Sequence, residues 1–104
     1  KAIVYNIKFI NAFSSSKILP WPFAGPVIIE ERELDGSAEY FAIDNWCLVG
    51  NIKIDSDDNK KTNLENDIIF DLDLYQILKS YFKKPTSLSR LRNIKRDKLE
   101  EFFS

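Results

Sequence analysis

Residues 27–43 read VIIEERELDGSAEYFAI and give the strongest indication of the fold. Its apolar start and charged continuation are typical of a strand that leaves the core and enters solvent. Asp35-Gly36 is a strong hairpin signal, because glycine adopts the positive φ that such turns require. Apolar and polar residues then alternate, as in a returning strand. We therefore predict an antiparallel hairpin of strands over residues 27–34 and 38–49.

Segments on either side of this hairpin supply the other elements of the N-terminal half. Apolar residues near one face of residues 2–14 predict a helix. Residues 19–26 contain three prolines, which fix φ, remove amide donors and so exclude a helix. Residues 51–54 either extend the second strand or begin a third. Residues 55–66 lack periodicity, which predicts a polar, exposed loop.

The C-terminal half predicts two helices around a short extended segment. Asp71 or Asp73 can cap the first helix, because a carboxylate accepts the free amides of a first turn. The spacing of apolar residues carries that helix to about Phe82. Residues 88–94 form either a short edge strand or an extended loop, and residues 95–103 predict a last helix.

The order of these elements decides the fold class. Helices and strands are segregated rather than alternating, which indicates an α+β domain. We expect one small domain in which an antiparallel β-hairpin or sheet packs against two or three helices. With 104 residues, 44% of them hydrophobic, the chain is long enough to bury a core. It contains no methionine, and we expect residues 1–104 to be a single accessory domain from the C-terminal part of a longer protein.

Charge is distributed unevenly along the chain, although the net charge is only −1. That total predicts no general attraction to nucleic acid or to a membrane. Residues 55–73 are mainly acidic, and residues 79–98 are mainly basic. The candidate DNA-binding residues of the basic segment are Lys83, Lys84, Arg90, Arg92, Lys95 and Arg96. They could neutralise phosphates, or they could be solvated surface charges without a partner.

Common catalytic and cofactor-binding residues are missing from the chain. It has no histidine, one cysteine (Cys47) and three glycines far apart. These absences exclude the usual nucleophilic triads, histidine or thiolate metal sites and glycine-rich phosphate loops. We therefore expect no catalytic residue, no metal and no cofactor. A lone cysteine fits a reducing compartment, which predicts a cytoplasmic location, and no apolar run approaches the length of a membrane span.

Two groups of carboxylates remain as candidate cation ligands. Asp55, Asp57 and Asp58 resemble the start of a calcium loop, but the glycine and the final glutamate of that pattern are missing. Asp71 and Asp73 could hold Mg²⁺ together with several waters, or they could cap a helix. We expect a solvated loop for the first group and a helix cap for the second.

Four short motifs resemble a known family. They are LPWPFAGP at residues 19–26, VIIEER at 27–32, IDNWCLVG at 43–50 and FDLDLYQIL at 70–78. Together they resemble the region after the GIY-YIG nuclease domain in bacterial excinuclease Cho and its relatives, some of which also carry an exonuclease domain. The matching residues are Trp21, Pro22, Gly25, Glu30, Asp44, Trp46 and Gly50. This chain has no counterpart of the GIY-YIG strand pair or of that domain's catalytic arginine and glutamate.

The resemblance implies a role in DNA repair. A parent protein of this kind would incise damaged DNA with a divalent metal, alongside the damage-recognition proteins of nucleotide excision repair. This chain would be a non-catalytic accessory domain that positions the nuclease on DNA or on its repair partners. Those partners would be other excision-repair proteins or the nuclease domain of the parent. No catalytic residue of the family can be transferred to this chain.

The matching residues can be explained as scaffold. Trp21 and Phe23 lie on a stiff proline segment, and their rings can pack against the sheet. Gly25 can allow another part of the chain to approach the backbone closely before the first strand. Trp46 can anchor the second strand, because buried aromatic side chains dominate small cores. Trp46 and Asp44 could instead be exposed for a partner.

Two other functions stay open on the sequence. The chain could be a protein-interaction module of unrelated origin that docks a partner through its hairpin edge or its last helix. Exposure of Leu99, Phe102 and Phe103 would support that role, since a contiguous apolar patch marks an interface. The chain could also be an enzyme that uses Asp71 and Asp73 with Mg²⁺, and helix capping by both carboxylates would argue against it.

Overall fold

The main feature of the fold is a five-stranded antiparallel sheet. The computed structural model describes residues 7–8, 18–65 and 67–103. The strands of the sheet are β2 (Val27–Arg32), β3 (Ala38–Asp44), β4 (Cys47–Ile54), β5 (Lys60–Leu64) and β7 (Leu91–Asn93). Their order across the sheet is β5-β4-β3-β2-β7, so β5 and β7 are its two edges. A separate parallel pair joins β1 (Ile7–Lys8) to β6 (Ile68–Ile69).

Helices complete the α+β fold that the element order predicts. Within the described residues they are α1 (Leu72–Tyr81), α2 (Pro85–Leu88) and α3 (Leu99–Phe103), the last preceded by a 3₁₀ turn at Arg96–Lys98. Asp71 caps α1, since its carboxylate accepts the amide of Asp73 at 2.9 Å. The predicted fold class is confirmed, with a sheet larger than the hairpin that indicated it.

The hairpin of β2 and β3 follows the sequence prediction. The first three residues of β2 are buried and its last residue is exposed. Gly36 has a φ of 93° at the turn. The carboxylate of Asp35 accepts the hydroxyl of Ser37 at 2.6 Å and its amide at 2.9 Å, and these two bonds lower the pKa of Asp35. The strand predicted over residues 27–34 is shorter in the structure. It ends at Arg32, because the turn begins there.

The strand predicted over residues 38–49 is wrong in one respect, because a tight turn divides it. Asp44 pairs with Cys47, which leaves Asn45 and Trp46 as turn residues with φ of 50° and 70°. Positive φ at both positions is the mark of a type I′ hairpin. Asparagine tolerates this conformation, but a bulky residue rarely adopts it. The aromatic and apolar character of this stretch therefore concealed the turn.

The two strands after this turn also differ from the prediction. Residues 51–54 extend β4, which was one of two alternatives, and Gly50 lies inside that strand. The loop predicted over residues 55–66 is wrong in its secondary structure, because the segment contains a turn and then β5, but residues 55–64 are exposed as predicted. The Asp55 carboxylate closes the turn by accepting the amide of Asn59 at 2.9 Å. Every residue of β5 is exposed, so the strand has no apolar alternation and is held by backbone pairing with β4.

The ends of the chain account for the remaining differences. The helix predicted over residues 2–14 lies largely outside the described residues, and the two residues of it that are described form β1 rather than helix. The last helix, predicted over residues 95–103, begins as a 3₁₀ turn and is α-helical only over Leu99–Phe103. Residues 88–94 contain β7, so the edge-strand alternative is correct.

Helices cover both faces of the sheet. Glu30 pairs with Tyr40 across β2 and β3, so their side chains project from one face. On this face α3 packs, with the rings of Tyr40 and Phe102 6.1 Å apart. The next residue of β2, Glu31, projects from the opposite face, where it lies beside Tyr81 at the end of α1. The sheet is therefore the middle layer of the fold.

Candidate nucleic-acid interface

The six candidate DNA-binding residues lie along one edge of the sheet and on its flanks. Lys83 and Lys84 join α1 to α2, Arg90 precedes β7, Arg92 belongs to β7, and Lys95 and Arg96 follow it. All six are exposed. The β7 backbone pairs with β2, and the amide of Ile94 donates to the carbonyl of Pro26 at 3.1 Å. The sheet thus fixes the backbone that carries Arg90 to Lys95.

Arg96 differs from the other five because it bonds a buried carboxylate. Its Nη2 donates to Oδ2 of Asp44 at 2.6 Å. The Asp44 side chain is 1% exposed, whereas that of Arg96 is 56% exposed. A buried carboxylate is costly unless charged or polar donors compensate it. Asn45 supplies a second donor at 3.0 Å. Arg96 therefore anchors the chain after β7 to the turn that ends β3.

The other basic residues are held less firmly. Nη1 of Arg90 donates to Oε2 of Glu31 at 3.2 Å, and both side chains are partly exposed, so this pair contributes little to stability. In the part of the chain that the structure describes, no carboxylate lies within ion-pair distance of four others. These are Lys83, Lys84, Arg92 and Lys95, and we call them the β7 cations.

The acidic turn of residues 55–58 and the basic residues of β7 lie toward opposite edges of the sheet. The β7 cations lie at and around one edge, whereas Asp55, Asp57 and Asp58 form the turn that leads into the other edge strand, β5. Four strand spacings of about 4.8 Å separate the two edges by roughly 19 Å. The charge asymmetry read along the chain is kept only in part, because Asp71 and Asp73 of the acidic segment lie at the start of α1 and not at the β5 edge.

An aromatic cluster lies behind the basic edge. The centroid of the Trp46 ring lies 5.2 Å from that of Trp21, 4.9 Å from that of Tyr75 and 5.7 Å from that of Phe82. Phe23 is 5.2 Å from both Trp21 and Phe82. Most of these contacts are edge-to-face, the arrangement that the ring quadrupole favours. The cluster joins the proline-rich segment, the turn after β3 and α1 into one apolar unit.

Both indole N–H groups bond to the proline-rich segment. Nε1 of Trp21 donates to the carbonyl of Gly25, and Nε1 of Trp46 donates to the carbonyl of Leu19, each at 2.8 Å. The amide of Leu19 in turn donates to the Tyr75 hydroxyl at 3.0 Å. These bonds hold residues 19–25 against the core and help to keep Trp46 at its unusual positive φ.

Three of the residues that carry the family resemblance, Asp44, Trp46 and Gly50, are interior. Asp44 is 0% exposed and Trp46 is 5% exposed, so neither is presented to a partner on the surface. Pro22 is exposed, and Glu30 pairs with Arg32 on the neighbouring position of the same face.

The two glycines of the resemblance have different surroundings. A Cβ at Gly50 would lie 2.6 Å from the carbonyl oxygen of Asn63 on β5, so only glycine fits there without a backbone shift. At Gly25 the nearest atom would be the carbonyl oxygen of Ile94 at 3.5 Å, an ordinary contact. The close approach predicted at Gly25 is therefore found at Gly50 instead.

A groove lies between the proline-rich segment and the chain that follows β7. It has a volume of about 780 Å³ and is lined by residues 22–26 and 93–96. Lys95 and Arg96 are its charged lining residues, and no carboxylate lines it. Its walls come from segments far apart in the sequence, so no local motif could have revealed it.

The described residues offer little for the enzymatic alternative. No group of three or more histidine, cysteine, aspartate or glutamate side chains among them could hold a metal ion. The Asp71 carboxylate is used as a helix cap. Burial, with a smaller effect from the charge of Asp44, raises the pKa of the Cys47 thiol to about 11, which disfavours the nucleophilic thiolate.

The last helix bears on the interaction-module alternative. Leu99 is fully buried, and Phe102 and Phe103 are half-buried and packed against the core. The apolar patch that would have supported docking through this helix is therefore covered by the domain itself.

The fold and the charged edge define a small α+β domain whose described residues carry basic groups in and around the edge strand β7. The family model of the excinuclease Cho C-terminal domain matches residues 26–97, which is more than half of the chain. The chain belongs to this family, and the resemblance read from its motifs is confirmed. An accessory role in DNA repair follows from the family's description. No curated protein and no solved structure matches the chain.

Among the described residues, no helix is both long enough and apolar enough to cross a bilayer.

Proposed function

We propose that this chain is a non-catalytic accessory domain that positions an excinuclease of the Cho type on DNA. In this proposal residues 1–104 form one domain in the C-terminal part of a longer, cytoplasmic protein of nucleotide excision repair. The incision chemistry belongs to a GIY-YIG nuclease domain elsewhere in that protein. The domain contributes contacts to the phosphate backbone.

The exposed β7 cations are the observation that carries the proposal. Lys83, Lys84, Arg92 and Lys95 are exposed, and no described carboxylate neutralises them by an ion pair. Free cations on a fixed backbone displace the counterions of DNA, which supplies sequence-independent affinity. Such affinity suits an accessory domain, because a repair nuclease must act at many sequences.

The net charge of −1 limits how strong this contact can be. The acidic turn at the β5 edge repels DNA, so the basic edge must face the duplex. We expect weak binding, with dissociation constants of about 10⁻⁶ to 10⁻⁴ M at physiological salt and tighter binding at low salt.

A titration of labelled duplex and single-stranded DNA with the whole chain at low salt tests the proposal. The fluorescence anisotropy of the labelled DNA should rise to a plateau as the chain is added, and it should fall again when salt is added. The double variant Lys84→Gln/Arg92→Gln should bind several-fold more weakly. The matched variant Lys60→Gln/Lys61→Gln, which removes the same charge from β5, should bind like the original chain. Absence of binding to either DNA would show that the contact with DNA is not made by this domain.

Docking on a protein partner of the repair system is the second candidate function. It is favoured by β5, whose five residues are all exposed and whose outer side has no strand partner among the described residues. An extended peptide can add to such an edge by main-chain hydrogen bonds. Retention of partner binding by the Lys84→Gln/Arg92→Gln variant, together with loss of it on proline substitution at Thr62, would support this function.

A further inference from the structure

We propose that the groove between residues 22–26 and 93–96 receives a nucleotide of an unpaired DNA strand. The inference rests on the proposed contact with DNA and adds to it a defined site and a class of ligand. The groove is distinct from the sheet edge itself, because it opens where the chain leaves β7 and passes the proline-rich segment.

The size of the groove suits one nucleotide unit. Its volume of about 780 Å³ falls within the range of roughly 300–1,000 Å³ that is usual for sites binding compact organic ligands. A duplex is too wide to enter a groove of this volume, so only a splayed base with its sugar and phosphate can occupy it.

The charge of the lining favours a phosphate. Lys95 is exposed at the groove and has no ion-pair partner among the described residues. Arg96 also lines the groove, but Asp44 already accepts a hydrogen bond from its guanidinium. Lys95 is therefore the cation available to a ligand, and Arg96 helps to fix the backbone that carries it.

The remaining lining favours a base. Phe23 is half-buried, and contacts with Trp21 and Phe82 hold its ring in place while it lines the groove. Asn93 supplies an amide group with both a donor and an acceptor. An aromatic wall beside a cation is the combination that binds single strands without strong sequence preference.

The two tryptophans provide a built-in reporter for this site. The indole N–H of Trp21 bonds to the carbonyl of Gly25, which lines the groove, whereas the indole N–H of Trp46 bonds to Leu19, which does not. A ligand in the groove should shift the Trp21 indole signal in a ¹H–¹⁵N spectrum and leave the Trp46 signal nearly unchanged. A Trp21→Phe variant assigns the two signals.

The experiment adds three ligands of equal phosphate content to the ¹⁵N-labelled chain: oligothymidine, the corresponding abasic strand and a duplex. Oligothymidine should shift the Trp21 indole and the amides of Gly25 and Lys95. The abasic strand and the duplex should shift these signals much less. Lys95→Gln should weaken oligothymidine binding about fivefold, and the control Lys61→Gln should have no such effect.

The outcomes separate this inference from the proposed function. Equal shifts with the abasic strand would overturn the idea that a base occupies the groove. Shifts confined to Lys83, Lys84 and Arg92 would also overturn it while the contact with DNA stands. No shift with any ligand would contradict both. If Lys95→Gln proved unfolded, the Trp21 shift in the unaltered chain would still decide the matter.

Discussion

The two edges of the sheet are built in different ways. The β7 edge is three residues long, and pairing with β2, the Ile94–Pro26 backbone bond and the Arg96–Asp44 bond tie it into the molecule. The β5 edge is five residues long, is exposed throughout and is held by pairing with β4. A short edge strand with firm anchors can therefore present charges in fixed positions. The longer edge is attached to the sheet through its backbone pairing with β4.

The largest expected effect concerns the attachment of β5. Gly50→Ala places a methyl group 2.6 Å from the Asn63 carbonyl and 3.2 Å from Cα of Leu64, so the backbone of β5 must move. We expect a loss of about 3 kcal/mol in the free energy of unfolding, at the upper end of overpacking costs. Urea denaturation followed by tryptophan fluorescence measures it.

Gly25→Ala is the matched control, because its new methyl group would meet only an ordinary contact at 3.5 Å. Its free energy of unfolding should stay within about 0.5 kcal/mol of the original. Equal losses in both variants would mean that β5 is not packed against Gly50 as described.

The anchor of the β7 edge gives the next largest effect. Arg96→Gln leaves the buried Asp44 carboxylate without its charged donor, and we expect a loss of about 2 kcal/mol in stability. Arg92→Gln removes an equal charge from an exposed position of β7 and should change stability by less than about 0.5 kcal/mol. Should the two variants unfold at the same urea concentration, Arg96 would be a surface charge and the anchor would not exist.

Alkaline pH should weaken the region around the turn after β3. The pKa of Cys47 is about 11 in the folded chain, against an ordinary value of 9.0. Above pH 9 the unfolded chain loses this proton first, so stability falls between pH 9 and 11, by roughly 1–2 kcal/mol. Burial also raises the pKa of Tyr81, which acts in the same direction. Cys47→Ala should reduce the decrease of the free energy of unfolding with pH. An unchanged decrease would count against burial of the thiol.

The smallest effect is expected for the exposed pair of Arg90 and Glu31. Both groups are partly exposed, at 58% and 40% of their side-chain surface, so water screens the attraction. Arg90→Gln should cost less than about 0.5 kcal/mol. A loss comparable to that of Arg96→Gln would remove the distinction between an anchored residue and a surface residue on the same edge.

The sequence predicts those parts of the molecule that depend on local chemistry. Asp35-Gly36 marks the hairpin, and Asp71 caps α1 where a carboxylate meets free amides. The turn at Asn45 and Trp46 could not be read in this way, because tertiary contacts hold a tryptophan at positive φ.

The sequence does not predict β5 or the Arg96–Asp44 bond, because both depend on contacts between residues that are distant in the chain. β5 has no apolar alternation, since both of its faces meet solvent, so only its pairing with β4 reveals it as a strand. Arg96 and Asp44 are 52 residues apart in the sequence and meet only through the fold. The charge pattern of the sequence thus predicts a basic segment. Only the structure distinguishes Arg96, which bonds a buried carboxylate, from the β7 cations.

The salt dependence of DNA binding is the sharpest test of a phosphate contact at the β7 edge. Log–log plots of affinity against salt should be measured for the original chain, for Lys84→Gln/Arg92→Gln and for Lys60→Gln/Lys61→Gln. For Lys84→Gln/Arg92→Gln we expect the slope of log affinity against log salt to be shallower by about 2, roughly one for each lost phosphate contact. For Lys60→Gln/Lys61→Gln we expect the original slope. Equal slopes in all three proteins, or a loss confined to the β5 variant, would contradict a contact at the β7 edge.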